Sequence, residues 1–223
     1  MALYVVRVWL PDRPGALGQV ASRIGALRGD VIGIEILERG GGRAIDELVV
    51  SLPEVELLEL LITEIAQVDG VDVEDVREVV GEPQDPQVAA LAIAERMADA
   101  AGADGLLEVL CSELARALEC DWAAVVVLDP PATSCSTGHA PSAAWLAAFL
   151  QGSSHLESSA DEGNAPPDLI WARLGRSGLE LVAGRRPRAF HSRERRQAAA
   201  LARVADGLVA RAALAAEPAA ADA

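Results

Sequence analysis

The chain has 223 residues, of which 51% are hydrophobic, and its formal net charge at pH 7 is −15. This length accommodates two modest hydrophobic cores, while the negative charge argues against nucleic acid as a partner, because binding to a duplex depends on Lys and Arg that neutralise phosphates. No apolar run reaches the roughly 20 residues that cross a bilayer, so we expect no membrane partner. The first ten residues alternate as a strand does, so we expect no leader peptide and a cytoplasmic location.

The first thirty residues predict a strand, a tight turn and a helix. Apolar residues alternate from Leu3 to Leu10, and after the turn they recur at helical spacing. Gly15 therefore stands at the N-terminus of a helix. The first amides of a helix lack an intrahelical acceptor and the helix dipole is positive there, which suits a carboxylate or phosphate. A well-built turn that starts a helix, with Asp12 favouring the turn, explains the same residues.

The next fifty residues complete a small α+β domain. A strand over Val31–Leu37, a glycine turn at 40–42 and a strand over Arg43–Leu52 form a hairpin. An amphipathic helix over 55–68 and a last strand over Val71–Val80 follow. Right-handed crossovers place both helices on one face of a four-stranded antiparallel sheet, so we predict a ferredoxin-like βαββαβ domain over residues 1–80.

The spacing of the turn residues within this order of elements resembles the ACT domain, whose small ferredoxin-like units bind amino acids and regulate the proteins that carry them. The residues that carry the resemblance are Leu10, Asp12, Pro14, Gly15, Leu17, Val20 and Leu27. The resemblance implies a ligand between the turn after strand one of one subunit and strand two of its neighbour, lined by Asp12, Gly15, Ala16 and Leu17.

One position departs from the ACT pattern. Many ligand-binding members have Asn before strand two, where this chain has Asp30. An ionised Asp only accepts hydrogen bonds, so Asp30 could pair with the ammonium of a ligand. An Asp that follows Gly29 is also an ordinary turn residue, and both interpretations stay open.

The sheet face away from the helices predicts a partner. Period-two counting puts Val5, Trp9, Val31 and Val49 on this face. An apolar face and an edge strand are usually covered, and pairing of strand two with its copy in a second subunit would cover the edge. We therefore expect a homodimer, while a monomer with scattered surface hydrophobics stays possible.

The second half of the chain predicts a second domain. Breakers between Gly81 and Pro86 mark a boundary. We expect a linker and connecting helix over 81–103, a domain over 104–214 and a disordered tail over 215–223. The predicted elements are a helix over 88–101, a helix over 106–119, a buried strand over 122–129, a polar loop over 130–141, a short helix over 142–150, a flexible segment over 151–167, a hairpin over 169–174 and 179–183, and a long helix over 192–214.

This second order of elements resembles a GAF domain, a small-molecule sensor whose terminal helices often form a dimer bundle. The resemblance lies mostly in the strand from Asp121 and in the Arg-rich run from Arg186 into the last helix. It implies a GAF-like α/β sandwich with long terminal helices. The chain lacks the Asn-Lys-x-Asp signature of cyclic-nucleotide-binding members, so a module that only dimerises fits as well as one that binds a ligand.

Catalytic and metal-binding patterns are weak. Cys111, Cys120 and Cys135 are odd in number and lack paired CxxC spacing, so we expect reduced thiols. Cys135 and His139 make only two candidate metal ligands, and in a polar loop they offer no preorganised nucleophile and base. We predict no metal, no cofactor and no catalytic residue. A basic cluster between Arg185 and Arg196 could bind an acidic partner or form the solvated start of the last helix.

The sequence as a whole predicts a non-catalytic regulatory protein. We expect it to bind an amino acid at the ACT-like domain, through Asp12, Gly15, Ala16, Leu17 and Asp30, and to signal through dimer geometry. The alternative is a dimerisation scaffold that binds no ligand and modulates a partner protein.

Overall fold

A computed structural model describes residues 1–79, 81, 85–153 and 166–216. The predicted flexible segment and the predicted tail lie outside the described residues, except at their ends. The chain divides into two compact units, Met1–Gln84 and Asp85–Ala223, each of which is described by itself.

The N-terminal unit is a four-stranded antiparallel sheet with two helices. Its strands lie in the order β2-β3-β1-β4, which confirms the predicted βαββαβ fold. The elements are β1 (Ala2–Pro11), α1 (Ala16–Ala26), β2 (Asp30–Gly40), β3 (Arg43–Leu52), α2 (Leu58–Ala66) and β4 (Asp72–Glu78).

One face of this sheet forms the hydrophobic core with both helices. Alternate residues of β1 point into it, because side chains along a strand alternate between faces. Burying these side chains against the apolar stripes of α1 and α2 holds the helices on the sheet. The main contributors are Val6, Val8 and Leu10 of β1, Val20 and Ile24 of α1, Leu48 and Val50 of β3, and Leu61 and Ile65 of α2.

The opposite face carries three of the four apolar side chains expected there, Val5, Trp9 and Val49. Val31 packs against the helix-side core, opposite Val50, so its predicted placement on the outward face was wrong. The reason is a register irregularity between Val31 and Gly33, which interrupts the alternation of β2. At the centre of the outward face, an Arg7 guanidinium nitrogen lies 2.7 Å from Oε1 of Glu47. The polar centre of this face is therefore already paired within the chain.

The C-terminal unit is a second four-stranded antiparallel sheet, in the order β6-β5-β8-β7. The mixed α+β fold class predicted from the sequence is confirmed. The elements are α3 (Pro86–Asp99), α4 (Gly102–Ala117), β5 (Trp122–Leu128), β6 (Pro131–Gly138), α5 (Ala143–Ser153), β7 (Leu169–Leu174), β8 (Leu179–Gly184) and α6 (Ser192–Ala216).

Strand β5 is buried on both faces, which explains its continuous run of Ala and Val. Ala123 and Val125 belong to a large core that includes residues of α3, α4 and α6. Ala124 and Val126 belong to a smaller core on the other face, with Leu146 of α5. The unit therefore has helices on both faces of one sheet, and α3 contributes Ile93 and Met97 to the larger core.

Strand β6 corrects the predicted loop over residues 130–141. It pairs antiparallel with β5 along its whole length. The sequence pattern missed it because β6 is an edge strand with mostly exposed Ser, Thr and Pro, so it carries no apolar alternation. Cys135 consequently lies on a strand, and its assignment to a flexible loop was wrong.

Candidate functional site

The turn between β1 and α1 is built as the sequence predicts, with Gly15 as the N-cap of α1. Its φ of +88° lies in the left-handed region, which glycine adopts without the steric penalty of a Cβ. The Asp12 amide donates a hydrogen bond of 2.9 Å to the Gly42 carbonyl, and the Ala16 amide donates one of 3.3 Å to the Arg13 carbonyl. The first bond ties the turn to the β2–β3 hairpin.

The N-terminus of α1 is open. No side chain caps it, and a Cβ built on Gly15 would meet no other atom within 4 Å among the residues described. The first helical hydrogen bond runs from the Gln19 amide to the Gly15 carbonyl, so the Leu17 and Gly18 amides precede the helical ladder. Because the Ala16 amide is used inside the turn, the donors for an anion are those of Leu17 and Gly18.

A buried carboxylate, Asp46 of β3, lies at the same end of the sheet. It pairs in register with Val8, which faces the helix-side core, and its exposed fraction is 3%. Within the described part of the chain, its Oδ1 has no hydrogen-bond partner. Such a group is expensive to bury and calls for an explanation.

The charge state of Asp46 depends on its surroundings. Burial raises the pKa of this carboxyl, the Arg39 guanidinium opposes the rise, and the Asp12 carboxylate adds to it. Sequence reasoning missed Asp46, although one signal was present: it is the single Asp at a core-facing position of an otherwise apolar alternation in β3.

Asp30 lies far from this corner within one chain. It pairs with Ser51 of β3, whereas Pro11, at the turn end of β1, pairs with Arg43. Eight residues of strand separate Arg43 from Ser51, about 26 Å at 3.3 Å per residue. The structure thus brings Asp12, Gly15, Ala16 and Leu17 together in one turn and leaves Asp30 at the other end of the sheet.

The basic cluster of the C-terminal unit is engaged in internal contacts. Arg185 is 3% exposed, lies 2.6 Å from Oε1 of Glu194, and donates a hydrogen bond of 2.6 Å to the Leu118 carbonyl. Arg186 pairs with Asp168. The interpretation of this cluster as a solvated helix start was therefore wrong for Arg185, which anchors the approach to α6 against the end of α4.

Two further features bear on the class of site. Across the described residues, no three side chains of His, Cys, Asp or Glu converge as metal ligands would. The same residues include no helix that is both long and apolar enough to cross a membrane.

The unpartnered state of Asp46 predicts a pH dependence. A folded-state pKa above the ordinary value of 3.8 means that the native state binds more protons than the unfolded chain above that pH, so this group lowers stability as pH rises. We expect Asp46→Asn to increase the free energy of unfolding at pH 7 by about 1 kcal/mol or more. Urea unfolding from pH 4 to 7 measures it: the difference between variant and wild type should widen with pH, and a constant difference would contradict the assignment.

Comparisons with known proteins agree with the fold of the N-terminal unit. Residues 4–70 match the family model of the ACT domain. No curated protein matches the chain.

Similar solved structures include domains of both kinds. The ACT domain of the GTP pyrophosphokinase of Chlorobium tepidum is 19% identical, covers 35% of this chain and 100% of its own, and has a TM-score of 0.29. An ACT domain protein of Streptococcus pneumoniae is 20% identical, with coverages of 34% and 89% and a TM-score of 0.30. The GAF domain of an Acinetobacter phosphoenolpyruvate-protein phosphotransferase is 14% identical, with coverages of 59% and 97% and a TM-score of 0.44.

ACT domains are typically regulatory domains that bind small ligands. The family match covers β1, α1, β2, β3 and α2, and the observed sheet order completes the fold. Residues 4–70 of this chain therefore match the ACT domain family, and the N-terminal unit has the ferredoxin-like fold of that family.

Proposed function

We propose that this chain is a non-catalytic regulatory protein that binds a free amino acid at the β1–α1 corner of its ACT domain. The observation that carries the proposal is the combination of an open, uncapped helix N-terminus with a buried carboxylate, one oxygen of which lacks a hydrogen-bond partner among the described residues. The first attracts an anion and the second attracts a cation.

An amino acid carries both complementary charges on one carbon atom. Its carboxylate would accept hydrogen bonds from the Leu17 and Gly18 amides, where the helix dipole also favours negative charge. Its ammonium would face Asp46, whose ionised form it stabilises. A simple carboxylic acid or a simple amine would satisfy only half of this arrangement.

Edge strand β2 supports the proposed homodimer. Three isoleucines along it are exposed, Ile32 by 51%, Ile34 by 53% and Ile36 by 37%. An apolar edge strand of this kind pairs readily with a copy of itself. Such a dimer is also the arrangement in which Asp30 of one chain would serve the ligand of the other, and through which ligand binding would change how two subunits meet.

Thermal unfolding of the purified chain against each of the twenty amino acids tests the proposal. The ligand at a hundredfold excess over its Kd should stabilise the wild type by about 2.7 kcal/mol. Asp46→Asn keeps the shape but removes the charge, so this variant should remain folded and lose the response. Asp69→Asn, at a side chain that is fully exposed, is the matched control and should respond as the wild type does.

Two results would contradict this function. One is a wild type that responds to none of the twenty amino acids. The other is an Asp46→Asn variant that keeps the full response, which would leave Asp46 without a role in binding.

The exposed isoleucines of β2 also support a second candidate, a dimerisation scaffold that binds no ligand and modulates a partner protein. Both candidates are dimers through β2, so the response of the wild type to amino acids separates them, and Ile34→Lys tests the dimer itself. In a scaffold, sedimentation should show that this variant loses the dimer, and no amino acid should change the melting temperature of the wild type.

A further inference from the structure

The C-terminal unit brings two cysteines together that are 24 residues apart in sequence. The Sγ atoms of Cys111, on α4, and Cys135, on β6, lie 3.0 Å apart. Both are free thiols. A disulfide has a sulfur–sulfur distance of about 2.05 Å, so bond formation requires the two sulfurs to approach by about 1 Å.

The surrounding structure holds this pair in place. Cys135 lies opposite Val125 of β5, beside a register shift that leaves Ser134 as an extra residue in β6. Irregularities of this kind re-aim the neighbouring side chains. The Cys135 Sγ also lies 3.2 Å from the Leu107 carbonyl, one turn of α4 before Cys111. The thiol of Cys135 is thus directed at one face of α4.

The two thiols differ in access to solvent. Cys111 is 1% exposed and belongs to the large core. Cys135 is only partly buried, on an edge strand whose neighbouring residues Ser134 and Ser136 are exposed. A small oxidant from solvent would therefore meet Cys135 first.

The two thiols also differ in acidity. The hydrogen bond between the two thiols lowers the pKa of Cys135; burial opposes this, the Val125 amide assists it, and the Glu108 and Asp104 carboxylates oppose it. The same hydrogen bond and burial raise the pKa of Cys111. Because the thiolate is the reactive form, Cys135 is the nucleophile of the pair and Cys111 retains its proton.

We propose that Cys111 and Cys135 form a redox site that hydroperoxides convert reversibly into an intramolecular disulfide. This site goes beyond the proposed amino-acid binding and does not depend on it.

The disulfide forms in two steps. The Cys135 thiolate attacks one oxygen of hydrogen peroxide; the O–O bond breaks, Cys135 becomes a sulfenic acid, and the departing hydroxide takes a proton to leave as water. The Cys111 sulfur then attacks the sulfenic sulfur of Cys135. The S–O bond breaks, an S–S bond forms, and the hydroxyl group leaves as water with the proton of Cys111. A dithiol reductant restores both thiols by exchange.

Cys120 provides an internal control. It is half-buried, and burial raises its pKa to about 12, with the Arg185 guanidinium opposing the rise. At neutral pH it is therefore almost entirely a thiol, and we expect it to stay unmodified while the pair reacts.

Limited oxidation of the full chain by hydrogen peroxide tests the proposal. Two of the three thiols should be lost, dithiothreitol should restore both, and peptide mapping after alkylation should link Cys111 to Cys135 and find Cys120 alkylated. In Cys111→Ala, the sulfenic acid of Cys135 should persist and react with dimedone. Cys120→Ser should form the same disulfide as the wild type.

Three outcomes would overturn the proposal. They are three free thiols after oxidation under conditions that oxidise glutathione, modification of Cys120 in preference to the pair, or disulfides found only between chains. The measurement on the wild type does not depend on whether a variant folds. Because it reads thiols and not amino-acid binding, its outcome is independent of the thermal experiment on the ACT domain.

Discussion

Glu47→Gln is expected to lower the free energy of unfolding by about 3 to 5 kcal/mol, the range for removing one partner of a buried ion pair. In the native state Glu47 accepts hydrogen bonds from Nε and Nη2 of Arg7, at 2.9 and 2.7 Å, and from Nη1 of Arg77, at 2.9 Å. The Arg7 side chain is 1% exposed and that of Glu47 is 11% exposed. A neutral amide removes the negative charge that the buried Arg7 guanidinium and the Arg77 guanidinium both contact, which is where the loss arises.

The same change at an exposed pair provides the control. Glu64 lies 2.9 Å from Arg23, with exposed side-chain fractions of 24% and 44%. Exposed pairs contribute about 0 to 1 kcal/mol, so Glu64→Gln should change stability little. Urea unfolding at pH 7 measures both variants. Equal losses would show that the Arg7–Glu47 pair contributes no more to the free energy of unfolding than an exposed ion pair does.

The contribution of Glu47 should also depend on pH. Burial works to raise the pKa of this carboxyl, but Arg7 and Arg77 together hold it below its usual value. A folded-state pKa below the unfolded one stabilises the protein above the ordinary carboxyl pKa, and this stabilisation disappears as pH falls through the folded-state pKa. The difference in unfolding free energy between wild type and Glu47→Gln should accordingly shrink in acid. The two groups have opposite signs: as pH rises, ionised Glu47 adds to stability and ionised Asp46 subtracts from it.

Gly138→Ala is expected to destabilise the C-terminal unit by about 2 to 5 kcal/mol. Gly138 has a φ of +68° at the end of β6, and a Cβ there would lie 2.1 Å from the Asp121 carbonyl oxygen. A left-handed conformation costs a residue with a Cβ about 1 to 2 kcal/mol, and relief of the overlap by backbone movement adds about 1 to 3 kcal/mol. The obstructing atom belongs to the backbone of Asp121, the residue before β5, so no change of rotamer removes the contact.

Gly178→Ala separates the two contributions. Gly178 has nearly the same φ, +67°, but a Cβ there would meet nothing within 4 Å. This variant should show only the conformational cost of about 1 to 2 kcal/mol. Thermal or urea unfolding of both variants measures the difference, which should equal the steric part; equal losses would mean that the contact with Asp121 is unimportant.

The binding role proposed for Asp46 and its effect on the stability of the free protein have opposite signs. Within the described residues, Asp46 has an oxygen without a partner in the helix-side core, and its replacement by Asn is expected to stabilise the free protein. A buried polar group that destabilises the free protein is typical of a binding site, where the ligand supplies the missing partner. A purely structural Asp46 would show the reverse behaviour, with loss of stability and an unchanged response to amino acids.

Local patterns were sufficient for most of the fold. The alternation of Val6, Val8 and Leu10, the helical spacing from Ala16 onward and the turn at Gly15 are properties of neighbours in sequence, and they are enough to predict the βαββαβ order. The edge strand β6 was missed because prediction from sequence depends on such local patterns. Its side chains are mostly exposed, so no local apolar pattern marks it, and its hydrogen bonds to β5 are made between distant parts of the chain.

The sequence by itself determined that the chain contains an ACT-type fold with a glycine at the start of its first helix, because turn chemistry and apolar periodicity act over a few residues. Only the tertiary structure decided that one oxygen of buried Asp46 has no partner among the described residues, that Asp30 lies at the far end of the sheet, and that Cys111 meets Cys135. These facts depend on strand register and on which face of an element is buried. Register and burial arise from packing between residues that are far apart in the chain, so no short sequence pattern reports them.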